Sequence, residues 1–135
     1  ESRKIGRNVL PLSLHETIRD SPVIFIDIPR EARLQWLVEQ YISQSPLLIA
    51  EAIERLHKRL GGLQTQHALD ALHAGDLHSC FDIVLRYYDD AYLFGVSKRE
   101  KTMVHRISLS TVDHEANAQA VLAFKHSINN KGMHC

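Results

Sequence analysis

The first six residues, Glu1-Ser2-Arg3-Lys4-Ile5-Gly6, set a carboxylate, a hydroxyl and two cations side by side. That set suits a phosphate site. Arg3 and Lys4 would pair with phosphate oxygens, and Glu1 would orient a metal-bound water. Open α/β sheets collect such ligands beyond the carboxyl ends of their strands. A solvated run of charges accounts for the same composition, and the residues alone favour that plainer reading. No G-x-x-x-x-G-K-[ST] and no G-x-G-x-x-G occurs anywhere to cradle a phosphate.

Two further groups stand out. Arg59-Leu60-Gly61-Gly62, preceded by Arg55 and Lys58, would form a basic corner able to meet phosphate. On spacing alone an ordinary helix end, with cations complementing the helix dipole, is the favoured reading. Tyr87-Tyr88-Asp89-Asp90-Ala91-Tyr92 offers rings that stack on bases. Neighbouring residues on a helix point about 100° apart, so Tyr88 is expected to pack inward with Tyr87 facing out. Asp89 and Asp90 are expected in solvent. No carboxylate pair, no nucleophile elbow and no zinc spacing among the nine histidines is evident, so no catalytic or metal-ligating residue is assigned. His134-Cys135 is at best an adventitious chelator, and Cys80 falls on the apolar face of a helix, where a thiol is inert.

The elements that must position these groups follow from the hydrophobic pattern. The chain has 135 residues, 44% hydrophobic and 24% charged, with no formal net charge. These values fit one soluble domain with a real core and give no whole-chain field to draw nucleic acid. No apolar run reaches the ~20 residues a membrane helix needs or resembles a secretory leader. Two cysteines make no disulfide framework, so a reducing, cytoplasmic setting is expected.

Ser13 and Glu16 fit a capping box opening a short helix, which Ser21-Pro22 should stop. Val23-Ile24-Phe25-Ile26-Asp27-Ile28 reads as a strand buried on both faces of a parallel sheet. Leu34, Leu37, Val38, Tyr41 and Ile42 mark an amphipathic helix. Ser45-Pro46 starts another, striped by Ile49, Ala52, Ile53, Leu56 and Leu60 and ended by Gly61-Gly62. Glu51 with Arg55 and Glu54 with Lys58 form pairs on its wet face. A helix over about 65–73 stops at Gly75, and Asp76 caps a long one carrying Cys80, Phe81, Val84, Leu85 and Tyr88. A second strand spans 103–109, and Asp113 caps a last helix. Two strands separated by a block of helices describe an α/β fold, helix-rich overall. Two strands cannot make a covered parallel sheet by themselves, so further strands are expected upstream of Glu1.

Taken in order, Glu1 to Gly6 with Leu10-Pro11, the strand ending Ile28-Pro29 followed by Arg33, Arg59 to Gly62, and Tyr87-Tyr88-Asp89 with Tyr92 resemble the C-terminal half of bacterial tRNA 2-selenouridine synthase. The resemblance runs over nearly the whole chain. It implies the latter part of a P-loop domain over 1–135, a P-loop-type parallel sheet with a largely helical insertion at about 30–95. It implies a transferase that replaces sulfur by selenium in wobble 2-thiouridine of tRNA, with selenophosphate and geranyl diphosphate as co-substrates and an S-geranylated intermediate. The catalytic cysteine would belong to a rhodanese-like domain, which neither Cys80 nor Cys135 matches. By that resemblance Glu1, Ser2, Arg3 and Lys4 would meet the diphosphate, while Arg59, Gly61, Gly62, Tyr87, Tyr88 and Tyr92 would contact tRNA or the prenyl diphosphate. Two rivals fit the same elements: a small-molecule kinase-like P-loop domain and a non-enzymatic helical interaction module.

Overall fold

The computed structural model describes residues 4–5 and 7–131. Glu1, Ser2, Arg3 and Gly6, and with them most of the expected phosphate site, lie outside the described residues, as do His134 and Cys135. Strands β1 (Lys4–Ile5) and β2 (Asn8–Val9) pair antiparallel as a small hairpin that the sequence pattern does not announce. Helix α1 (Leu12–Asp20) follows. Its N-cap is Pro11, whose extended backbone starts the helix one residue before Ser13, so the expected capping box does not form. Ser21, extended at φ −86° and ψ 148°, ends the helix ahead of Pro22.

Strand β3 (Val23–Asp27) leads into α2 (Arg30–Tyr41). Pro46 occupies the first turn of α3 (Pro46–Arg55) behind the N-cap Ser45, whose side chain makes no capping bond. The expected single stripe from Ile49 to Leu60 is broken at Leu56, where a one-turn helix α4 (His57–Leu60) begins. Gly61, at φ 86° and ψ 152°, turns the chain into α5 (Gly62–His73). Only glycine adopts that backbone conformation readily. Gly75, at φ 78°, makes the next turn. Asp76 then caps α6 (Leu77–Ser97), its carboxylate accepting from the Ser79 N–H at 2.9 Å. A 3-10 turn (Lys101–Met103) precedes strand β4 (Val104–Ser108). Asp113 accepts from the Ala116 N–H at 2.9 Å and opens α7 (His114–Lys131).

β3 and β4 form a two-stranded parallel sheet with Val23 opposite Val104, Phe25 opposite Arg106 and Asp27 opposite Ser108. Helices α2 to α6 lie between these strands in the chain. The fold is thus helix-rich around a small parallel sheet, as the pattern of elements led one to expect.

The core lies in the helices. Leu34, Ile49, Ile53, Ala68, Leu72, Cys80 and Phe81 are the buried apolar residues, supplied by α2, α3, α5 and α6. The Tyr41 and Phe81 rings meet at 5.4 Å. Neither strand contributes a fully buried side chain, and Ile26 at the centre of the apolar run is 42% exposed. Helix α7 approaches the sheet through Phe124, whose ring lies 5.7 Å from that of His105, and meets α2 where Trp36 abuts His114 at 5.6 Å.

Candidate functional site

Helix α6 has 21 residues and so is about 30 Å long. Its first half enters the core through Cys80 and Phe81; its second half runs on past it. There Tyr88, Tyr92, Leu93 and Phe94 are all exposed, Tyr92 to 70%. This overhanging half forms one wall of an open groove of about 990 Å³, and β3 forms another. Six consecutive residues, Val23 to Ile28, line the groove. Side chains alternate faces along a strand, so the groove meets residues of both faces of β3, and Arg106 of the neighbouring β4 lines it as well.

Arg59 of α4 and the α6 cluster Tyr87, Tyr88 and Tyr92, remote from Arg59 in sequence, all reach this groove. Tyr87 and Tyr88 meet edge-on at 5.3 Å, and Tyr88 lies roughly parallel to Tyr92 at 6.5 Å. The expected division between an inward Tyr88 and an outward Tyr87 is not what occurs. Tyr87 is half-buried and Tyr88 is exposed, because α6 lies on α5 and α2 through its Cys80–Phe81 side while Tyr88 overhangs the sheet. Gly61 and Gly62 shape the corner beyond Arg59 but do not line the groove; neither does Lys4, which sits exposed in the β1–β2 hairpin.

The structure adds residues that spacing did not single out. Asp89 is not in open solvent. It takes both terminal nitrogens of Arg33, at 2.6 and 2.9 Å, while Arg33 Nε donates to the Ile28 carbonyl at 3.1 Å. One guanidinium thereby ties the end of β3, the first turn of α2 and the middle of α6. The hydrogen bonds to Asp89 raise the Arg33 pKa above its ordinary value against the opposing effect of burial. Beside it, Arg30 donates to the carbonyl and the carboxylate of Asp82. Arg106 of β4 bonds Asp27 at 2.9 Å and lies over the Phe25 ring at 4.9 Å. The only hint in the sequence was the acidic residue at the end of an otherwise apolar strand.

These pairs decide which charge is available. Arg33 is neutralised by Asp89 and Arg106 by Asp27. Among the described residues Arg59 has no carboxylate partner, so it is the groove's uncompensated cation. The arrangement offers aromatic faces for planar groups and one arginine fork for an oxyanion. It does not offer nucleophilic chemistry. Cys80 is fully enclosed, and burial, with Asp76 adding to it, pushes its thiol up to about 11. No group of three His, Cys, Asp or Glu side chains able to hold a metal comes together among the described residues. No helix among them is long and apolar enough to cross a membrane.

Residues 1–50 match the family described as the tRNA 2-selenouridine synthase AAA domain. Proteins named tRNA 2-selenouridine synthase resemble most of the chain: that of Serratia proteamaculans is 31% identical over 78% of it, that of Alcanivorax borkumensis 28% over 88%, and that of Shewanella frigidimarina 25% over 77%. The chain in turn spans 36%, 41% and 36% of these relatives' lengths, so it corresponds to well under half of each. No solved structure matches. Over the length that it shares with them, the chain is similar to a fragment of tRNA 2-selenouridine synthase.

Proposed function

We propose that this chain supplies the tRNA and diphosphate contacts of a tRNA-modifying transferase that replaces sulfur by selenium in wobble 2-thiouridine. The relatives' names support the tRNA-modifying part of this reading. The observation that carries the chain's own share is the convergence of Arg59, Tyr87, Tyr88 and Tyr92 on one groove beside the carboxyl end of β3. Tyrosine rings stack on bases, and an arginine with no carboxylate partner among the described residues can donate to a phosphate. The sheet would be part of a P-loop-type sheet, with α2 to α6 forming a cap over the site. Selenophosphate and geranyl diphosphate would be the co-substrates, and the reaction would pass through an S-geranylated uridine. The covalent steps would fall to the cysteine of a rhodanese-like domain in the same cytoplasmic protein, since Cys80 is closed off from any substrate. Glu1, Ser2, Arg3 and Lys4 would serve the diphosphate.

Titration of the full-length protein with 2-thiolated tRNA tests the groove. Tyr92→Ala should weaken binding about 5- to 150-fold, the worth of one stacked base, while leaving the melting temperature within about a degree or two. Unchanged affinity in Tyr92→Ala and Tyr88→Ala alike would remove the groove from tRNA recognition. ATP turnover with a small alcohol and no tRNA affinity would favour a kinase-like activity instead.

A further inference from the structure

The overhanging half of α6 borders a second cleft. It is open, about 620 Å³ in volume, and lies between the end of α6, the end of α1 and the 3-10 turn. Arg99 builds it. Its guanidinium donates to the Ile18, Arg19 and Ser21 carbonyls at 3.1, 2.8 and 2.8 Å, which closes the C-terminus of α1 and fixes Arg19 on the rim. The other charges in the cleft are Arg19 and Lys98 against Asp20 and Glu100, all exposed. None of these four makes an ion pair among the described residues. Lys98 Nζ sits 4.6 Å from the centre of the Phe94 ring, which is still 64% exposed. A ring beside cations and carboxylates suits a nucleotide better than a bare anion. The ring stacks on a base, the cations donate to phosphate oxygens, and the carboxylates accept from base N–H groups.

This cleft and the tyrosine groove share a boundary. Ala91 and Gly95, one turn apart on α6, line both. Tyr87, Ala91, Phe94 and Lys98 recur at i, i+4, i+7 and i+11, a single stripe about 16 Å long. Gly95 is costly where it stands, because glycine inside a helix is less stable than alanine. Its φ is not positive, and an added Cβ would meet nothing within 4 Å. Neither backbone conformation nor packing among the described residues requires a glycine there. Close approach by the backbone of a bound chain supplies a reason.

We infer that the RNA strand held in the tyrosine groove continues over the Ala91–Gly95 saddle into this second cleft, where Phe94 stacks on a further base and Arg19 and Lys98 meet phosphate. The inference rests on the groove being an RNA site. It adds a second subsite, the path between the two, and a role for Gly95.

Affinity of the full-length protein for 2-thiolated tRNA tests it, with Tyr92→Ala as the control for the groove and melting temperatures alongside. Phe94→Ala should weaken binding about 5- to 150-fold, the worth of one stacked base. Lys98→Ala should lower the slope of log K against log salt by about 0.7, the single-strand value for one phosphate. Gly95→Ala should raise the melting temperature, and Gly95→Leu should weaken binding by a factor comparable to Phe94→Ala. Wild-type affinity in Phe94→Ala and Lys98→Ala, with Tyr92→Ala weakened, overturns the inference and leaves the groove reading intact. Wild-type affinity in all three removes the groove reading as well. Loss at Phe94 without loss at Tyr92, or without loss in Gly95→Leu, overturns the continuous path, because the cleft would then bind apart from the groove. A lower melting temperature in Gly95→Ala would make packing the reason for the glycine and overturn the saddle.

Discussion

Arg33 and Asp89 show how a single pair organises the site. They are 56 residues apart, and their bidentate contact, with the third bond to Ile28, holds three elements in register around the groove. Spacing on a helix could not reveal this, because the partners sit on different helices and meet only through the packing of α2 on α6. Read alone, Asp89-Asp90 looked like solvated charge; that held no information about Arg33. Asp89→Ala should destabilise the protein by about 1–3 kcal/mol in urea unfolding, since a half-buried guanidinium loses its carboxylate partner and two hydrogen bonds. Arg33→Lys should not restore it, because an ammonium lacks the fork. Cys80 makes the opposite point, for its helical position alone identified an enclosed thiol. With its thiol pushed up to about 11 by burial, Cys80 should react with thiol reagents at pH 8 about 100-fold more slowly than an open cysteine on thiolate fraction alone. Kinetics on a Cys135→Ser variant, before and after denaturation, would measure this.

At the level of elements, legibility depended on whether the signal was local. Asp76 and Asp113 were readable as caps because an N-cap carboxylate needs only its own next turn, and both accept the expected N–H. Ser13 was not, because the extended Pro11 had already begun the helix at Leu12. The break at Leu56 stayed hidden because Ile53, Leu56 and Leu60 continue one apolar stripe through it. Gly61 fixes the corner that carries Arg59. An added Cβ there meets nothing within 4 Å, so Gly61→Ala should cost about 1–3 kcal/mol through backbone conformation alone. The Asp76 carboxyl is held below its ordinary pKa chiefly by hydrogen bonding to Ser79. A lowered folded pKa means that the cap stabilises α6 above the unfolded carboxylate pKa and is lost as pH falls through the folded one. Asp76→Ala should lower the melting temperature at pH 7, with the difference from wild type vanishing in strong acid; Asp76→Asn should keep most of the stability at both.

Across the whole molecule, the helical block and the sheet differ in what holds them. The buried cluster belongs to α2, α3, α5 and α6, so Leu34→Ala should cost about 2–5 kcal/mol and loosen the cap as a unit. The sheet has no such core among the described residues. The sequence pattern of β3 announced a strand meant for burial on both faces, but among the described residues none of its side chains is fully buried. Strands β3 and β4 and helices α1, α2, α3, α5, α6 and α7 were legible from local pattern, whereas the β1–β2 hairpin and the break that sets α4 apart from α3 were not. The groove was not, since it exists only once α6 overhangs β3.

The central claim is that Arg59 and the tyrosines of that groove meet tRNA, and Arg59 tests it most directly because no carboxylate among the described residues pairs with it. Affinity of the full-length protein for 2-thiolated tRNA, measured across a salt series, is the decisive measurement. If Arg59 meets a phosphate, Arg59→Ala weakens binding and lowers the slope of log K against log salt by about 1. A variant with the wild-type affinity and the wild-type salt slope would contradict the account.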